Sequence, residues 1–269
     1  MALTAYQRRV VRLLAGSRQV TGESYVAGGS ALNEHLGAPR ISSDVDLFHD
    51  TQEALQATFS ADVLLLESAG FAVKVSRERP AFIEAVVTQG PEGVLLQWVR
   101  DSTFRFFPLV SHPELGVTLH PFDLATNKIL ALVGRLEPRD WVDVIECHRR
   151  LQPLGYLAWA ACGKDPGFSP LAIIEYAARQ HYSVEEVHAL SFAGPSPDVA
   201  DLSRQWRTMM EEARYLIDVL PGFECGKCVL DSQDALFRGS AGDAERALLE
   251  GRLKFHAGHI GGALPQVVN

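Results

Sequence analysis

The N-terminal part of the chain alternates short apolar runs with helix-like segments. Residues 25–27 form a brief apolar run, and residues 43–48 alternate polar with apolar positions. Both patterns favour β-strands. Residues 31–36 have helical character, and Gly37 and Pro39 end that segment. The pattern therefore predicts the order strand, glycine turn, short helix, strand.

The flanking segments extend this alternation of helices and strands. An amphipathic helix is predicted at the N-terminus, where Leu3, Tyr6, Val10, Leu13 and Leu14 mark one face. Further segments are predicted as a helix over 51–69, strands over 71–76, 82–88 and 94–99, and helices over 122–135 and from Pro138. These elements suit a small mixed sheet flanked by helices.

The second half of the chain is mainly helical in pattern. Helices are predicted over 154–162, 171–180, 184–190 and from about residue 198 to Leu220, and a late hairpin over 224–239. We place the domain boundary near Gln152. The predicted fold is α+β, with a sheet-containing domain over 1–152 and a mainly helical domain over 153–269.

Composition favours a soluble globular protein and argues against a general nucleic-acid coat protein. The 269 residues are 47% hydrophobic and 22% charged, with a net charge of −8. This charge argues against a general nucleic-acid coat and leaves room for a local basic patch. We expect no membrane partner, because no stretch has the length of an apolar membrane span. The four cysteines fit no small disulfide framework, so we expect reduced thiols in a cytoplasm.

Two acidic residues on the second predicted strand indicate a metal site. Side chains at i and i+2 of a strand share a face, so Asp44 and Asp46 lie side by side. A cation neutralises such a pair, and carboxylate oxygens suit Mg²⁺, with Mn²⁺ as the alternative. Gly28 and Gly29 permit close backbone approach to a ligand, and Ser30 opens a helix whose N-terminus favours phosphate. This combination is typical of phosphoryl or nucleotidyl transfer from an NTP.

Two sequence blocks carry a resemblance to a known family. Residues 28–48, GGSALNEHLGAPRISSDVDLF, resemble the first motif of the polymerase-β-like nucleotidyltransferases, and more narrowly the AbiEii/AbiGii toxin family. Residues 123–144, DLATNKILALVGRLEPRDWVDV, resemble a later motif of that family. The resemblance implies that Lys128 and Arg135 contact the triphosphate and that Asp140 belongs to the catalytic centre.

The resemblance leaves one expected carboxylate without a clear counterpart. Nucleotidyltransferases of this kind add a third acidic residue from a neighbouring strand. The expected position is Gln97, which is not acidic. Asp101 or Glu84 is the substitute, or the third carboxylate is absent.

The family resemblance implies a reaction and partners. An acceptor hydroxyl would attack the α-phosphorus of an NTP, with tRNA 3′ ends as an acceptor in some relatives. A toxin role with a cognate antitoxin protein is also implied. Two alternatives remain: transfer to a small molecule such as an antibiotic, and a degenerate domain that binds nucleotide or protein without turnover.

A Cys-x-x-Cys pair near the C-terminus permits a second metal hypothesis. Cys225 and Cys228 have zinc-ligand spacing, and His256 and His259 would complete four ligands. The alternating pattern around the cysteines favours a hairpin without metal.

Overall fold

The computed structural model describes residues 3–21 and 24–262, and only the backbone over 17–21. The helices are α1 (Ala5–Thr21), α2 (Gly28–Leu36), α3 (Gln52–Ser68), α4 (Pro121–Arg135), α5 (Pro138–Arg150), α6 (Leu154–Ala161), α7 (Pro170–Ala178), α8 (Val184–His188), α9 (Val199–Val219) and α10 (Ala241–Leu249). The strands are β1 (Ser24–Ala27), β2 (Asp44–His49), β3 (Ala72–Arg79), β4 (Phe82–Gln89), β5 (Glu92–Arg100), β6 (Phe104–Arg105), β7 (Val110–His112), β8 (Gly116–Thr118), β9 (Cys228–Leu230), β10 (Lys254–His256) and β11 (His259–Ile260). The predicted α+β class is confirmed.

The chain divides into two compact units. The first unit comprises Met1–Thr103, Leu109–His120 and Ser191–Gly194. The second unit comprises Phe104–Pro108, Pro121–Leu190 and Pro195–Asn269. Helices α4 and α5 lie in the second unit, although the sequence analysis grouped them with the N-terminal domain. The boundary near Gln152 stays a prediction.

A seven-stranded mixed sheet forms the first unit. Its strand order is β3-β4-β5-β2-β1-β8-β7. Strand β2 pairs in parallel with β5 and antiparallel with β1, and β3, β4 and β5 form an antiparallel meander. The meander corresponds to the three strands predicted after the first long helix. The sheet therefore places β2, with its two aspartates, at its centre.

The two faces of this sheet differ in polarity. Val45 and Leu47 on β2 and Trp98 on β5 are fully buried on one face. Helix α3 packs there: Phe59 contacts the Trp98 ring edge-to-face at 5.1 Å, and the buried Asp62 accepts a 2.8 Å hydrogen bond from the indole N–H. The alternate β2 residues are half-buried. One face of the sheet therefore forms the hydrophobic core, and the other face carries the two half-buried aspartates.

The entry to α2 differs in detail from the prediction. The helix begins at Gly28, directly after β1, with Ala27 as the N-cap residue. Gly28 turns the chain from β1 into the helix with φ +67°, whereas Gly29 and Ser30, predicted as part of a separate turn, already belong to the first helical turn. Gly37, at φ +60°, ends the helix as predicted.

A helical core with a small sheet forms the second unit. Helices α6 and α9 pack around Tyr156, Trp159, Leu216 and Leu220. Strand β9 pairs with β10, not mainly with the segment predicted as its hairpin partner. Only an isolated bridge joins Leu230 to Leu236. Within residues 3–21 and 24–262, no helix has the length and apolar character needed to cross a membrane.

Candidate active site

Strand β2 presents the aspartate pair as the sequence predicted. Asp44 and Asp46 are half-buried and alternate with the fully buried Val45 and Leu47. Two residues apart on one face, their Cα atoms are separated by about 7 Å. Ser42 donates a 2.9 Å hydrogen bond from its Oγ to Asp44 Oδ1 and so restricts that carboxylate. The pair forms an acidic site that is partly exposed on this face of the strand.

Gly28 lies directly against the second aspartate. A Cβ added at Gly28 would lie 1.7 Å from Asp46 Oδ2, far inside van der Waals contact. The positive φ of Gly28 also disfavours any side chain there. Both observations require glycine at position 28, because the start of α2 packs directly against the Asp46 carboxylate. The sequence analysis predicted this glycine as a ligand-approach position but missed its contact with Asp46.

Gly29 and Ser30 follow in the first turn of α2. Both are buried. Ser30 Oγ donates a 3.4 Å hydrogen bond to the Ala27 carbonyl, so its hydroxyl already has a backbone partner. A ligand would therefore meet the helix N-terminus chiefly through its backbone N–H groups and dipole. Contact of Gly29 and Ser30 with phosphate stays a prediction.

The position beside Asp46 on the neighbouring strand is Gln97. The two residues are direct partners in the β2–β5 pairing. Glu84 lies one strand further, about 9.5 Å from β2, and accepts hydrogen bonds from Gln97 Nε2 at 3.0 Å and Ser76 Oγ at 2.8 Å. Asp101 follows Gln97 by four residues, about 13 Å along the strand. Neither candidate lies beside the pair, so the absence of a third carboxylate is the favoured alternative.

The donor set fits a divalent cation shared with a substrate. Mg²⁺ in such sites takes one or two protein carboxylates and completes its coordination with water and phosphate oxygens. Asp44 and Asp46 supply two half-buried carboxylates beside a backbone without a Cβ at Gly28. In the described part of the chain, no cluster of three or more His, Cys, Asp or Glu side chains forms a complete protein cage for a metal ion.

The later sequence motif forms a buried ion-pair network in the second unit. Lys128 Nζ lies 2.8 Å from Asp140 Oδ1 and 3.1 Å from Asp143 Oδ2. Arg135 binds Asp140 through Nε at 2.6 Å and Nη2 at 2.9 Å. The side chains of Asp140 and Asp143 are 0% exposed, that of Lys128 is 7% exposed, and that of Arg135 is 47% exposed. Lys128 and Arg135, seven residues apart on α4, thus bind the same carboxylate.

The electrostatics of Asp140 follow from this network. Burial alone would raise the pKa of the carboxyl group, because it penalises the charged form. The Arg135 hydrogen bonds and the Lys128 charge outweigh burial and lower the pKa of Asp140 below its ordinary value. Asp140 is therefore an anion that orients two cations, and Lys128 is no solvated surface lysine. Phosphate contact by Lys128 and Arg135 stays a prediction.

The proposed zinc ligands do not converge. Cys228 is buried on β9 opposite His256, and His256 Nε2 lies 2.7 Å from the Phe106 carbonyl oxygen. Cys225 is exposed and interacts with Cys162, and His259 is exposed on β11. Because no metal-binding group forms among the residues described, the zinc hypothesis is wrong there.

Two further contacts escaped the sequence analysis. Asp143, three residues after Asp140 on α5, pairs with Lys128 as Asp140 does. Ser42 restricts Asp44, and its only sequence signal was a polar residue two positions before an acid in a predicted strand. Helix spacing gave the signal for Asp143, since positions three apart lie on neighbouring parts of a helix surface.

The chain is similar to solved structures of other proteins in its fold, although its sequence is only distantly similar to theirs. No protein-family model and no curated protein matches the sequence. Among solved structures, the chain is similar to MenT4, a nucleotidyltransferase toxin from Mycobacterium tuberculosis H37Rv, with a TM-score of 0.52 and 14% identity over 77% of this chain and 82% of that one. It is also similar to JHP933 from Helicobacter pylori, with a TM-score of 0.50 and 14% identity over 80% and 95% of the two chains. The fold of this chain is that of the nucleotidyltransferase toxin MenT4.

Proposed function

We propose that the protein is a nucleotidyltransferase that moves an NMP from an NTP to an acceptor hydroxyl and releases pyrophosphate. The observation that carries the proposal is the Asp44–Asp46 pair on the open face of β2, with Gly28 packed against Asp46. The MenT4-like fold supports the same activity. It also supports a toxin role with an antitoxin partner, and the tRNA 3′ end is the acceptor that we propose.

The protein's own residues supply positioning. Asp44 and Asp46 would hold Mg²⁺, or Mn²⁺ as the alternative, with Ser42 fixing the orientation of Asp44. Bound there, the cation would neutralise charge that develops on the phosphate oxygens. The N-terminus of α2 would attract the NTP phosphates through unsatisfied N–H groups. Gly28, which has no Cβ, leaves room for the Asp46 carboxylate beside the start of α2.

Labelled-nucleotide transfer tests the proposal. Each of four α-labelled NTPs is incubated with the protein, Mg²⁺ and total RNA, and labelled RNA is measured. We expect label with wild type and none with Asp46→Asn, while Asp101→Asn retains wild-type transfer because Asp101 lies about 13 Å along the strand. Equal transfer by a folded Asp46→Asn protein would remove the aspartate pair from the chemistry.

One observation favours a second candidate function. Gln97 occupies the position beside Asp46 where a third carboxylate would activate the acceptor hydroxyl. A domain that binds Mg²⁺–NTP without transfer fits this substitution. Stabilisation of wild type by Mg²⁺ and NTP together, with no labelled RNA, small molecule or protein, would select that candidate. Label in an aminoglycoside mixture in place of RNA would select a small-molecule acceptor.

A further inference from the structure

The open face of the sheet extends from the aspartate pair to the outer strand β3. Asp46 is partnered by Gln97 on β5, Gln97 by Glu84 on β4, and Glu84 by Arg77 on β3. Directly paired residues point to the same face of a sheet. One row of side chains therefore crosses four strands on the face opposite the buried Trp98. Its two ends lie about 14 Å apart, or three strand spacings.

Strand β3 places three cations on this face. Lys74 pairs with Val86, Arg77 with Glu84 and Arg79 with Phe82. Lys74 and Arg77 are three residues apart, so a regular strand would send them to opposite faces. The β-bulge between Val75 and Arg77 adds one residue and returns them to one face. All three cations are exposed.

Apolar and aromatic side chains lie beside the cations. The Arg77 guanidinium lies over the Phe82 ring, with 5.7 Å between Cζ and the ring centroid. Val86, two residues from Glu84 on the same face, is 36% exposed. Phe82 is half-buried. A cationic row beside an aromatic ring is the combination with which proteins bind single-stranded nucleic acid. We call Lys74, Arg77, Arg79 and Phe82 the cationic sheet face.

The charge of this face contrasts with the rest of the protein. The chain has a net charge of −8, yet this face carries three cations. Its one acid on β3 and β4 is Glu84, whose carboxylate accepts hydrogen bonds from Gln97 and Ser76; Glu78 pairs with Ile83 and so points to the other face. Charged residues also protect edge strands from aggregation. Protection of the edge strand from aggregation would not require a bulge that brings the cations to one face. It would also not require that the cations share a face with Asp46.

We infer that the cationic sheet face binds the phosphodiester backbone of a single-stranded RNA segment of the acceptor. This inference rests on the proposed function, because it places the acceptor's 3′ hydroxyl at Asp44 and Asp46. The strand upstream of that hydroxyl crosses β5 and β4 and reaches the cations of β3. Lys74, Arg77 and Arg79 contact phosphates, and Phe82 stacks on a base.

Fluorescence anisotropy tests the face independently of turnover. The probe is a fluorescein-labelled oligouridylate of about 12 nucleotides, within the usual range of single-strand site sizes, titrated at several salt concentrations. The variant Lys74→Gln/Arg77→Gln/Arg79→Gln should bind at least tenfold more weakly. Its slope of log K against log salt should be shallower by about 2, since each phosphate contact on a single strand contributes about 0.7. Phe82→Ala should weaken binding about tenfold without changing the slope.

A matched variant controls for net charge. Arg204, Arg207 and Arg214 are exposed on α9, and Arg204→Gln/Arg207→Gln/Arg214→Gln removes the same three charges. Wild-type affinity and slope in this control support the inference. Three results overturn it: no RNA binding by wild type, unchanged binding by the β3 variant, or an equal loss in the α9 control.

A separate readout distinguishes failure of the face from failure of the proposed function. Thermal stabilisation by Mg²⁺ and NTP reports on the nucleotide site, and the β3 variant should keep it, which also verifies folding. If wild type shows RNA binding that depends on β3 but no stabilisation or transfer, the proposed function fails and the face remains. If transfer occurs and β3 has no effect on RNA binding, the face fails alone.

Discussion

The aspartates of the two units differ in burial and in charge pairing. In the first unit, Asp44 and Asp46 are half-buried on a strand face and keep access to solvent. In the second, Asp140 and Asp143 are fully buried, and the charges of Lys128 and Arg135 compensate them. Burying a carboxylate is costly unless it is paired. The first arrangement is thus suited to ligand binding, and the second to holding a structure or orienting a cation.

This contrast predicts that charge removal destabilises the second unit most. Lys128→Met leaves two buried carboxylates without their shared cation and should lower the free energy of unfolding by about 3–5 kcal/mol. Denaturant unfolding measures this loss. The control is Lys254→Met, whose lysine is 49% exposed and pairs with Asp234; we expect a change of about 1 kcal/mol or less.

The same network allows stability to be separated from activity. Lys128→Met combined with Asp140→Asn and Asp143→Asn removes the buried anions with the cation and should recover part of the stability. If Lys128 acts only in folding, labelled-nucleotide transfer returns with stability. If the triple variant folds and stays inactive, the charged network of Lys128, Asp140 and Asp143 contributes to the reaction beyond its role in folding.

Gly28→Ala should affect activity more than stability, the reverse of the Lys128 result. The added Cβ would overlap Asp46 Oδ2 and must displace that carboxylate. A displacement of about 1 Å can cost roughly a hundredfold in rate, and a side chain at positive φ costs about 1–2 kcal/mol of stability. Transfer rates and unfolding curves measure the two effects. Gly37→Ala is the control, because Gly37 has a similar φ of +60° and a Cβ added there would have no atom within 4 Å. Similar activity loss in both variants would place the effect in α2, not at Asp46.

The sequence predicted elements better than contacts between elements. Strand β2, helix α3 and the meander follow from local periodicity, because side-chain alternation needs no knowledge of partners. The contact of Gly28 with Asp46 and the β9–β10 pairing depend on residues distant in sequence, so no local pattern contained them. The bulge before Arg77 was also missed, and without it Lys74 and Arg77 would be assigned to different faces.

One half-buried histidine in each unit provides a pH test of stability. Burial, followed by the charges of Arg149 and Arg238, lowers the pKa of His148 to about 4. His148 Nδ1 accepts a 3.2 Å hydrogen bond from the Leu154 N–H, which requires that nitrogen to be deprotonated. With an unfolded pKa of about 6.5, the unfolded state binds more protons between pH 6.5 and 4. Stability is therefore fully present above about pH 6.5 and is lost as the pH falls to about 4.

His148→Gln should flatten this pH dependence. We expect the loss of unfolding free energy between pH 7 and 4 to shrink by on the order of 2 kcal/mol, since each pKa unit corresponds to about 1.4 kcal/mol. In the first unit, burial and the neighbouring His112 and His120 lower the pKa of His35 to about 4 as well. His35→Gln should therefore reduce the pH dependence of the unfolding free energy independently of His148→Gln. If both His148→Gln and His35→Gln keep the wild-type dependence of unfolding free energy on pH, neither histidine stays neutral in the folded protein.

Ser30→Ala should have the smallest effect, and it tests how the first unit meets its ligand. The Ser30 hydroxyl is buried and donates one long hydrogen bond to Ala27, so its loss should cost about 1 kcal/mol of stability or less. If the helix N-terminus binds phosphate through backbone N–H groups alone, KM for the NTP stays at the wild-type value. If the hydroxyl turns from Ala27 to a phosphate oxygen, KM rises about tenfold, because a hydrogen bond to a charged group contributes about 1.5 kcal/mol or more. Ser42→Ala is the paired control: it releases Asp44 and should lower kcat while leaving KM unchanged. A rise in KM for Ser30→Ala with constant kcat would assign the hydroxyl to the phosphates, and unchanged kinetics would leave that role to the backbone of α2.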